Sequence, residues 1–189
     1  MLEDIKTLKS ELDTEILSVN SMNELNDLRL KYLGKKSKIQ EFSSRMKDLS
    51  IEEKKECGRL MNEFKTYAEG KINELKEKMI KTAKESPYFD IINSFYGIGE
   101  VLTTELLGEL GDITRFDNHR QLIAFCGLDP TIIQSGKSIN VHGTISKRGN
   151  KYARWILFNI SQIVVKLGHQ CPGHPVYDYY LTKKAEGKH

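Results

Sequence analysis

The sequence predicts a mainly α-helical protein, and three observations lead to that class. Residues 1–84 contain no proline and only three glycines, whereas residues 85–189 hold all four prolines and eleven glycines. Apolar residues of the first part recur at spacings of three and four, the period of an amphipathic helix. The second part combines apolar helical stretches with glycine turns and one β-branched segment, which predicts a small helical domain with a short hairpin or loop insertion.

The change in composition predicts a domain boundary near residue 85. Pro87 disfavours a helical conformation at Ser86, so the seam is expected at Lys84–Pro87. We therefore expect a coiled-coil arm over residues 1–84 and a separate domain over residues 85–189.

Composition also excludes several classes of protein. The 189 residues carry a net charge of +3 and include three cysteines, too few for a disulfide framework. No apolar run reaches the roughly 18 residues that a bilayer span needs. The first residues carry acids where a signal peptide needs a basic patch and an apolar run. The sequence thus predicts a cytoplasmic protein without a membrane partner.

The arm is predicted as a series of helices. An apolar stripe opens it, formed by Leu2, Ile5, Leu8, Leu12, Ile16 and Val19. Ser21 and Glu24 form a capping box that predicts a second helix, with an apolar face of Leu25, Leu28 and Tyr32. Gly34 is placed to end it. A short helix is expected over Ile39–Lys47.

A second capping box, Ser50 with Glu53, predicts the start of a helix of roughly 30 residues. Its apolar seam consists of Cys57, Met61, Phe64, Ala68, Ile72, Leu75 and Met79. A long helix with a narrow apolar seam needs a partner, and the N-terminal helices folded back antiparallel are the nearest candidate. The same helix raises the hypothesis of a homodimer. The turn that carries Lys35, Lys36 and Lys38 either contacts RNA or is charged because it is solvated.

Two blocks of this arm, Glu24–Ser37 and Leu49–Lys65, resemble the N-terminal arm of bacterial phenylalanyl-tRNA synthetase alpha subunits in sequence and spacing. The resemblance covers about residues 1–83 and implies an antiparallel coiled coil that contacts tRNA. That family usually has glycine where Ser37 stands. No synthetase catalytic domain follows in this sequence, so no adenylate or amino-acid pocket is carried over.

In the second part, a Gly97-Ile98-Gly99 turn precedes a predicted helix that ends at Gly111. Such a turn either grips a phosphate with backbone N–H groups, as in helix-hairpin-helix modules, or is a plain junction. Asp117 is expected to cap the next helix, Asn118–Cys126. A last amphipathic turn follows Pro175.

A long helix is predicted to start at Ser146 or Asn150 and to close at Gly168. Its buried faces are expected to include Trp155, Ile156, Phe158, Ile160, Ile163, Val164 and Leu167.

A basic window precedes and enters this long helix. Residues 130–177 contain no Asp or Glu but six cations: Lys137, Lys147, Arg148, Lys151, Arg154 and Lys166. Cations at a helix start oppose the helix dipole, so contact with phosphate is a better explanation than helix stability. A solvated charged face is the alternative. We predict nucleic-acid contacts at Lys137, Lys147, Arg148, Asn150, Lys151 and Arg154, with Gly97 and Gly99 in the turn described above.

Several blocks of the second part occur in an order that resembles the C-terminal transposase domain of DEDD-type, bridge-RNA-guided insertion-sequence recombinases. They are Gly97–Gly99, Leu107–Phe116, Ala124–Pro130, Gln134–Lys137 and Gly143–Asn150. The resemblance runs from about Tyr88 to the C-terminus. It implies DNA or guide RNA as partners and a serine nucleophile, which maps to Ser135, for attack on a DNA phosphodiester.

In that family an N-terminal RuvC-like domain supplies four acids that hold Mg²⁺. The four acids have no counterpart here, so we expect no cofactor in this chain and an inactive domain when it acts alone. Serine also needs an activating base or metal.

Two functions therefore compete. The first is a nucleic-acid-binding fragment of a transposase, with Ser135 placed for strand transfer in the complete enzyme. The second is a tRNA-binding or dimerising scaffold of the synthetase type without catalysis. The absence of Asp and Glu from residues 130–177 favours the first function. The absence of the four metal-binding acids of the RuvC-like domain favours the second.

Overall fold

The computed structural model describes the backbone of residues 2–45, 50–135 and 139–187, and the side chains of residues 4–41, 50–131 and 143–187. Over these residues the chain is mostly helical with one two-stranded sheet, as predicted. It forms two compact units, Met1–Thr82 and Ala83–His189, here called the N-terminal unit and the C-terminal unit. None of the helices described is both long and apolar enough to span a bilayer.

The N-terminal unit is built from helices that begin where the sequence predicts. Their bounds are α1 (Leu2–Glu15), followed by a 3₁₀ turn (Ile16–Ser18), α2 (Met22–Leu33), α3 (Lys38–Arg45) and α4 (Ile51–Ala83). Both capping boxes are confirmed: the Glu24 N–H donates to Ser21 Oγ at 3.2 Å, and the Glu53 N–H donates to Ser50 Oγ at 3.3 Å. Helix α4 has 33 residues, close to the predicted length. The predicted end of the short helix at Lys47 lies outside the described residues.

The core of this unit joins all four helices. Its buried side chains are Ile5, Leu8, Leu12, Leu28, Tyr32, Ile39, Met61, Phe64 and Ala68. Ion pairs join Glu15 to Lys31 and Glu11 to Lys38, so α1 runs antiparallel to the α2–α3 segment. The Tyr67 hydroxyl donates to Asp13 at 2.5 Å and ties α4 to α1. The long helix thus has its predicted partner within the same chain.

The C-terminal unit is also helical. Its elements are α5 (Phe89–Asn93), α6 (Glu100–Leu110), a 3₁₀ turn (Ile113–Arg115), α7 (His119–Phe125), β1 (Pro130–Ser135), β2 (Ile139–Ile145), α8 (Lys151–Leu167), a 3₁₀ turn (Gly168–Gln170) and α9 (Pro175–Ala185). The core packs α6 against α8 and buries Ile98, Leu106, Leu110, Cys126, Ala153, Ile156 and Ile160. Strands β1 and β2 pair antiparallel, which selects the hairpin from the two predicted alternatives.

Two predictions about this unit are wrong. Asn118, not Asp117, caps α7, because its side chain accepts hydrogen bonds from the N–H groups of Arg120 and Gln121 at 3.0 and 3.2 Å. Trp155, Phe158 and Leu167 are not buried: 53%, 58% and 37% of their surfaces are exposed. The buried positions of α8 are Ala153, Ile156, Ile160 and Val164, and this spacing places both aromatic rings on the opposite face.

Candidate nucleic-acid interface

The predicted basic cluster lies where two loops of the C-terminal unit run side by side. The first loop, Phe125–Asp129, begins at the last residue of α7, and the second, Ser146–Asn150, leads into α8. Three backbone hydrogen bonds join these paired loops: Ser146 N–H to Asp129 O at 2.7 Å, Lys147 N–H to Gly127 O at 3.0 Å and Asn150 N–H to Phe125 O at 2.6 Å. The Ser146 hydroxyl adds a bond to Asp129 Oδ1 at 2.6 Å. The basic loop is therefore held by its neighbour over its whole length.

Glycine makes this close approach possible. Gly127 has a φ of +64°, and a methyl group on it would lie 2.6 Å from both Gly149 N and the Arg154 guanidinium. A methyl group on Gly149 would overlap the Phe125 carbonyl and Gly127 N. Any side chain at either position would push the loops apart, since real Cβ atoms do not approach other heavy atoms so closely.

Lys147 and Arg148 project from the held loop into solvent. Both residues are exposed, and among the described residues neither forms an ion pair with a carboxylate. Lys147 has a φ of +56°, a left-handed conformation that costs a non-glycine residue about 1–2 kcal/mol. Strain of this kind persists only where surrounding contacts hold it, and it often marks a functional site.

The first turn of α8 divides the remaining predicted contacts into two kinds. Asn150 caps the helix, because its Oδ1 accepts from Tyr152 N–H and Ala153 N–H at 2.9 and 3.0 Å. Its Nδ2 donates to Glu109 at 2.8 Å, so the whole amide is already engaged. Lys151, in contrast, is exposed, with its Nζ 4.7 Å from the centre of the neighbouring Tyr152 ring.

Arg154 bridges helices rather than facing solvent alone. Its guanidinium donates to the Cys126 carbonyl at 2.9 Å and so satisfies the end of α7. Burial raises the pKa of the Cys126 thiol, and the charge of Arg154 partly opposes that rise. This side chain therefore helps to hold the paired loops together, a role that the charge pattern alone did not indicate.

The sequence window without acids is not free of acids in space. Glu109 from α6 and Asp129 from the partner loop both hydrogen-bond within the basic loop. Sequence reasoning missed both carboxylates, although Ser146 and Asn150 beside the cations were available as a signal for local bonding partners. Lys147, Arg148 and Lys151 remain as the presented cations.

The structure sets Ser135 apart from this cluster. Ser135 faces Ile139 at one end of the hairpin, whereas Pro130 faces Ile145 at the other end, next to the basic loop. Five residues of extended strand span about 16 Å. Ser135 is therefore separated from the basic loop by about the length of the strand. Lys137 lies outside the described residues, and the role of Ser135 stays a prediction.

The Gly97–Gly99 turn has an explanation in packing. Gly97 has a φ of +84°, and a methyl group on it would lie 2.5 Å from Ile163 on α8. Gly99 is exposed at the start of α6, but Glu100 follows at once and pairs with Lys84. A carboxylate in the first turn of α6 repels a phosphate that approaches the same helix start.

The N-terminal unit presents its own small basic turn between α2 and α3. All three lysines are exposed, and Lys38 Nζ lies 3.1 Å from Glu11 Oε2 on α1. Ser37 is buried, and its carbonyl accepts from the N–H groups of Gln40 and Glu41 at the start of α3. Within the part of the chain that the structure describes, Lys35 and Lys36 form no ion pair, so two of the three predicted lysines present an unpaired charge to solvent.

Comparison with known proteins divides the chain in the same way. Residues 90–173 match the family model described as Transposase IS116/IS110/IS902 family. Residues 20–87 match the model described as Aminoacyl tRNA synthetase class II, N-terminal domain. The chain thus contains both a transposase-family domain and a synthetase-type N-terminal arm, as both resemblances predicted.

Individual relatives that the chain matches are phenylalanine–tRNA ligase alpha subunits. The phenylalanine–tRNA ligase alpha subunit of Listeria welshimeri is 50% identical over 66 residues, 35% of this chain and 19% of the ligase subunit. The alpha subunit of Listeria monocytogenes is 43% identical over 82 residues, which cover 43% of this chain and 23% of the ligase subunit. The alpha subunit of Fusobacterium nucleatum is 37% identical over 95 residues, which cover 48% of this chain and 28% of the ligase subunit. The match therefore spans between 19% and 28% of the length of these ligase subunits.

Proposed function

We propose that the C-terminal unit is a nucleic-acid-binding domain of the transposase type that contacts the phosphate backbone with Lys147, Arg148 and Lys151. The observation that carries this proposal is the exposure of these cations on a loop fixed by hydrogen bonds. A fixed loop loses little conformational entropy on binding, so the cations can act as a preformed phosphate site. The transposase-family match over residues 90–173 supports DNA as the polymer.

Each part of the site has a distinct task in this proposal. Lys147 and Arg148 neutralise phosphates, and Arg148 is able to bind one with two parallel hydrogen bonds. Asn150 and Arg154 position the cations, because the Asn150 side chain caps α8 and the Arg154 guanidinium bonds to the end of α7. Ser135 is the proposed nucleophile of the complete transposase, at the far end of the hairpin and dependent on an activating group that these cations do not provide.

A salt titration of duplex DNA binding by the full chain tests this function. Each phosphate contact contributes about 0.9 to the slope of log affinity against log salt concentration. We expect the Lys147→Gln/Arg148→Gln double variant to bind more weakly and to lower that slope by roughly 2. The matched control is Lys55→Gln/Lys81→Gln, which removes the same charge from exposed positions of α4. If the two double variants lose equal DNA affinity, the loss depends on net charge alone and the proposal is contradicted.

A second candidate function rests on the N-terminal unit. Exposed Lys35 and Lys36 lie within the segment that matches the synthetase arm, and the relatives carry phenylalanine–tRNA ligase in their names. The same assay with tRNA distinguishes the two functions. Loss of tRNA binding in Lys35→Gln/Lys36→Gln, but not in Lys147→Gln/Arg148→Gln, would favour the arm.

A further inference from the structure

The solvent face of α8 carries an unusual stripe of residues. The exposed stripe consists of Lys151, Trp155, Phe158, Gln162 and Lys166, at successive spacings of four, three, four and four. Such spacings keep the side chains on one helix face. Trp155 and Phe158 therefore lie one turn apart on the solvent face of α8. Their rings are not packed into the core, and 53% and 58% of their surfaces are exposed.

The charges along the stripe restrict the chemistry of a partner that could bind to it. Lysines stand at both ends, about 22 Å apart along the helix axis, and α8 contains no acidic residue. Neither lysine forms an ion pair within the part of the chain that the structure describes. A partner that matches this face must bring negative charge to the ends and flat apolar groups to the middle.

We propose that this stripe binds unpaired nucleotides, whose bases stack on Trp155 and Phe158 while their phosphates meet Lys151 and Lys166. Rings combined with cations are the chemistry by which proteins hold single strands. Stacked nucleotides advance about 3.4 Å each, so a face of this length accommodates several of them. A duplex would satisfy the lysines but would leave both rings in water, because its bases are already stacked inside.

This inference rests on the proposed function and makes it more specific. The basic loop at the start of α8 would follow the phosphate backbone in any nucleic acid, whereas the stripe would distinguish unpaired from paired segments. Lys151 belongs to both surfaces, so a strand that leaves the loop would pass directly onto Trp155.

Trp155 supplies its own signal, because it is the single tryptophan of the chain. Full-length protein would be titrated with single-stranded DNA and RNA of 12 nucleotides, with the DNA duplex of the same sequence, and with a strand of equal length that lacks bases. We expect both single strands to quench Trp155 emission. The duplex and the abasic strand should bind with a comparable salt slope and little quenching. The difference between the DNA and RNA strands identifies the preferred sugar.

The decisive variant is Phe158→Ala, followed by fluorescence anisotropy of labelled strands. We expect single-strand affinity to fall about 5- to 100-fold and duplex affinity to stay unchanged. The matched control is Ile91→Ala on α5, an apolar side chain that is 64% exposed, which should change neither affinity. Both side chains face solvent, so folding is retained, and far-ultraviolet circular dichroism verifies it.

The remaining outcomes overturn the inference in separate ways. If single strand and duplex bind alike and depend on Lys147 and Arg148 but not on Phe158, stacking is wrong and the proposed function stands. If no nucleic acid binds, both fail. If sedimentation reveals a dimer that Phe158→Ala dissociates, a second copy covers the stripe. If anionic vesicles, and not strands, shift the Trp155 emission to the blue, a lipid surface covers it.

Discussion

At the scale of single residues, Lys147 is the clearest case of a conformation that its own side chain does not favour. Its φ of +56° belongs to the region that glycine adopts without strain, and the chain places a lysine there. A glycine would suit the backbone better, but it would remove a presented cation. A lysine here is what the proposed phosphate contact would require, at a cost to backbone stability.

Replacing Lys147 by glycine separates the two effects. Relief of the left-handed strain should raise the free energy of unfolding by about 1–2 kcal/mol. The greater conformational freedom of glycine in the unfolded chain should lower it by roughly 0.5–1 kcal/mol. We expect Lys147→Gly to leave the C-terminal unit as stable or slightly more stable, while DNA binding weakens. Arg148→Gly, at a position without positive φ, should lose both stability and binding. Urea unfolding followed by Trp155 fluorescence measures the first quantity, and anisotropy measures the second. Equal stability of the two variants would remove the strain argument.

At the scale of elements, helices were predictable because their signals are local. The two capping boxes lie within four residues of chain and stand where the sequence placed them. The paired loops were not predictable in this way, because the bond from Ser146 to Asp129 joins residues 17 positions apart. The exposure of Trp155 and Phe158 has a different cause. Their hydrophobicity favours burial, but the three-and-four spacing of the buried residues leaves both rings on the opposite face of α8.

The capping box of α4 gives a prediction about pH. Hydrogen bonds from the Ser50 hydroxyl and backbone N–H lower the pKa of Glu53 below its ordinary value of 4.5. Because the pKa is depressed in the folded chain, this contribution is present at neutral pH and is lost as pH falls through the folded pKa. We expect Glu53 to titrate below 4.5 by nuclear magnetic resonance, and Ser50→Ala to move its midpoint upward. The comparison residue is Glu56, whose pKa is lowered by its hydrogen bond with Arg59 and not by Ser50. Its midpoint should stay in place in Ser50→Ala, and a shift of both glutamates would contradict a local effect of the capping box.

At the scale of the whole molecule, two different family resemblances meet in one chain, and each coincides with one compact unit. Each unit has a core of its own, centred on Leu12 and Phe64 in one case and on Cys126 and Ile156 in the other. Trp155 reports on the C-terminal unit alone, whereas circular dichroism is weighted by the 33 residues of α4. The two signals therefore allow the stability of each unit to be followed in the intact protein.

We expect the two signals to yield different midpoints in urea, since two-state behaviour belongs to single domains. Gly58 on α4 and Gly108 on α6 form a matched pair, because a methyl group on either would meet no atom within 4 Å. Each change to alanine should stabilise its helix by about 0.5–1 kcal/mol. Gly58→Ala should move the transition seen by circular dichroism, and Gly108→Ala the one seen by Trp155. Coincident curves that shift together in both variants would mean a single cooperative unit.

The paired loops also bear on how this domain can change over evolutionary time. Their hydrogen bonds close the chain at the base of the hairpin, so residues 130–145 leave and re-enter the domain at adjacent points. The entropy of bringing the ends of an inserted segment together grows only slowly with its length. Strands can therefore be lengthened, shortened or exchanged there without disturbing the contacts between α6 and α8. The hairpin can therefore take up insertions while the basic loop keeps its shape.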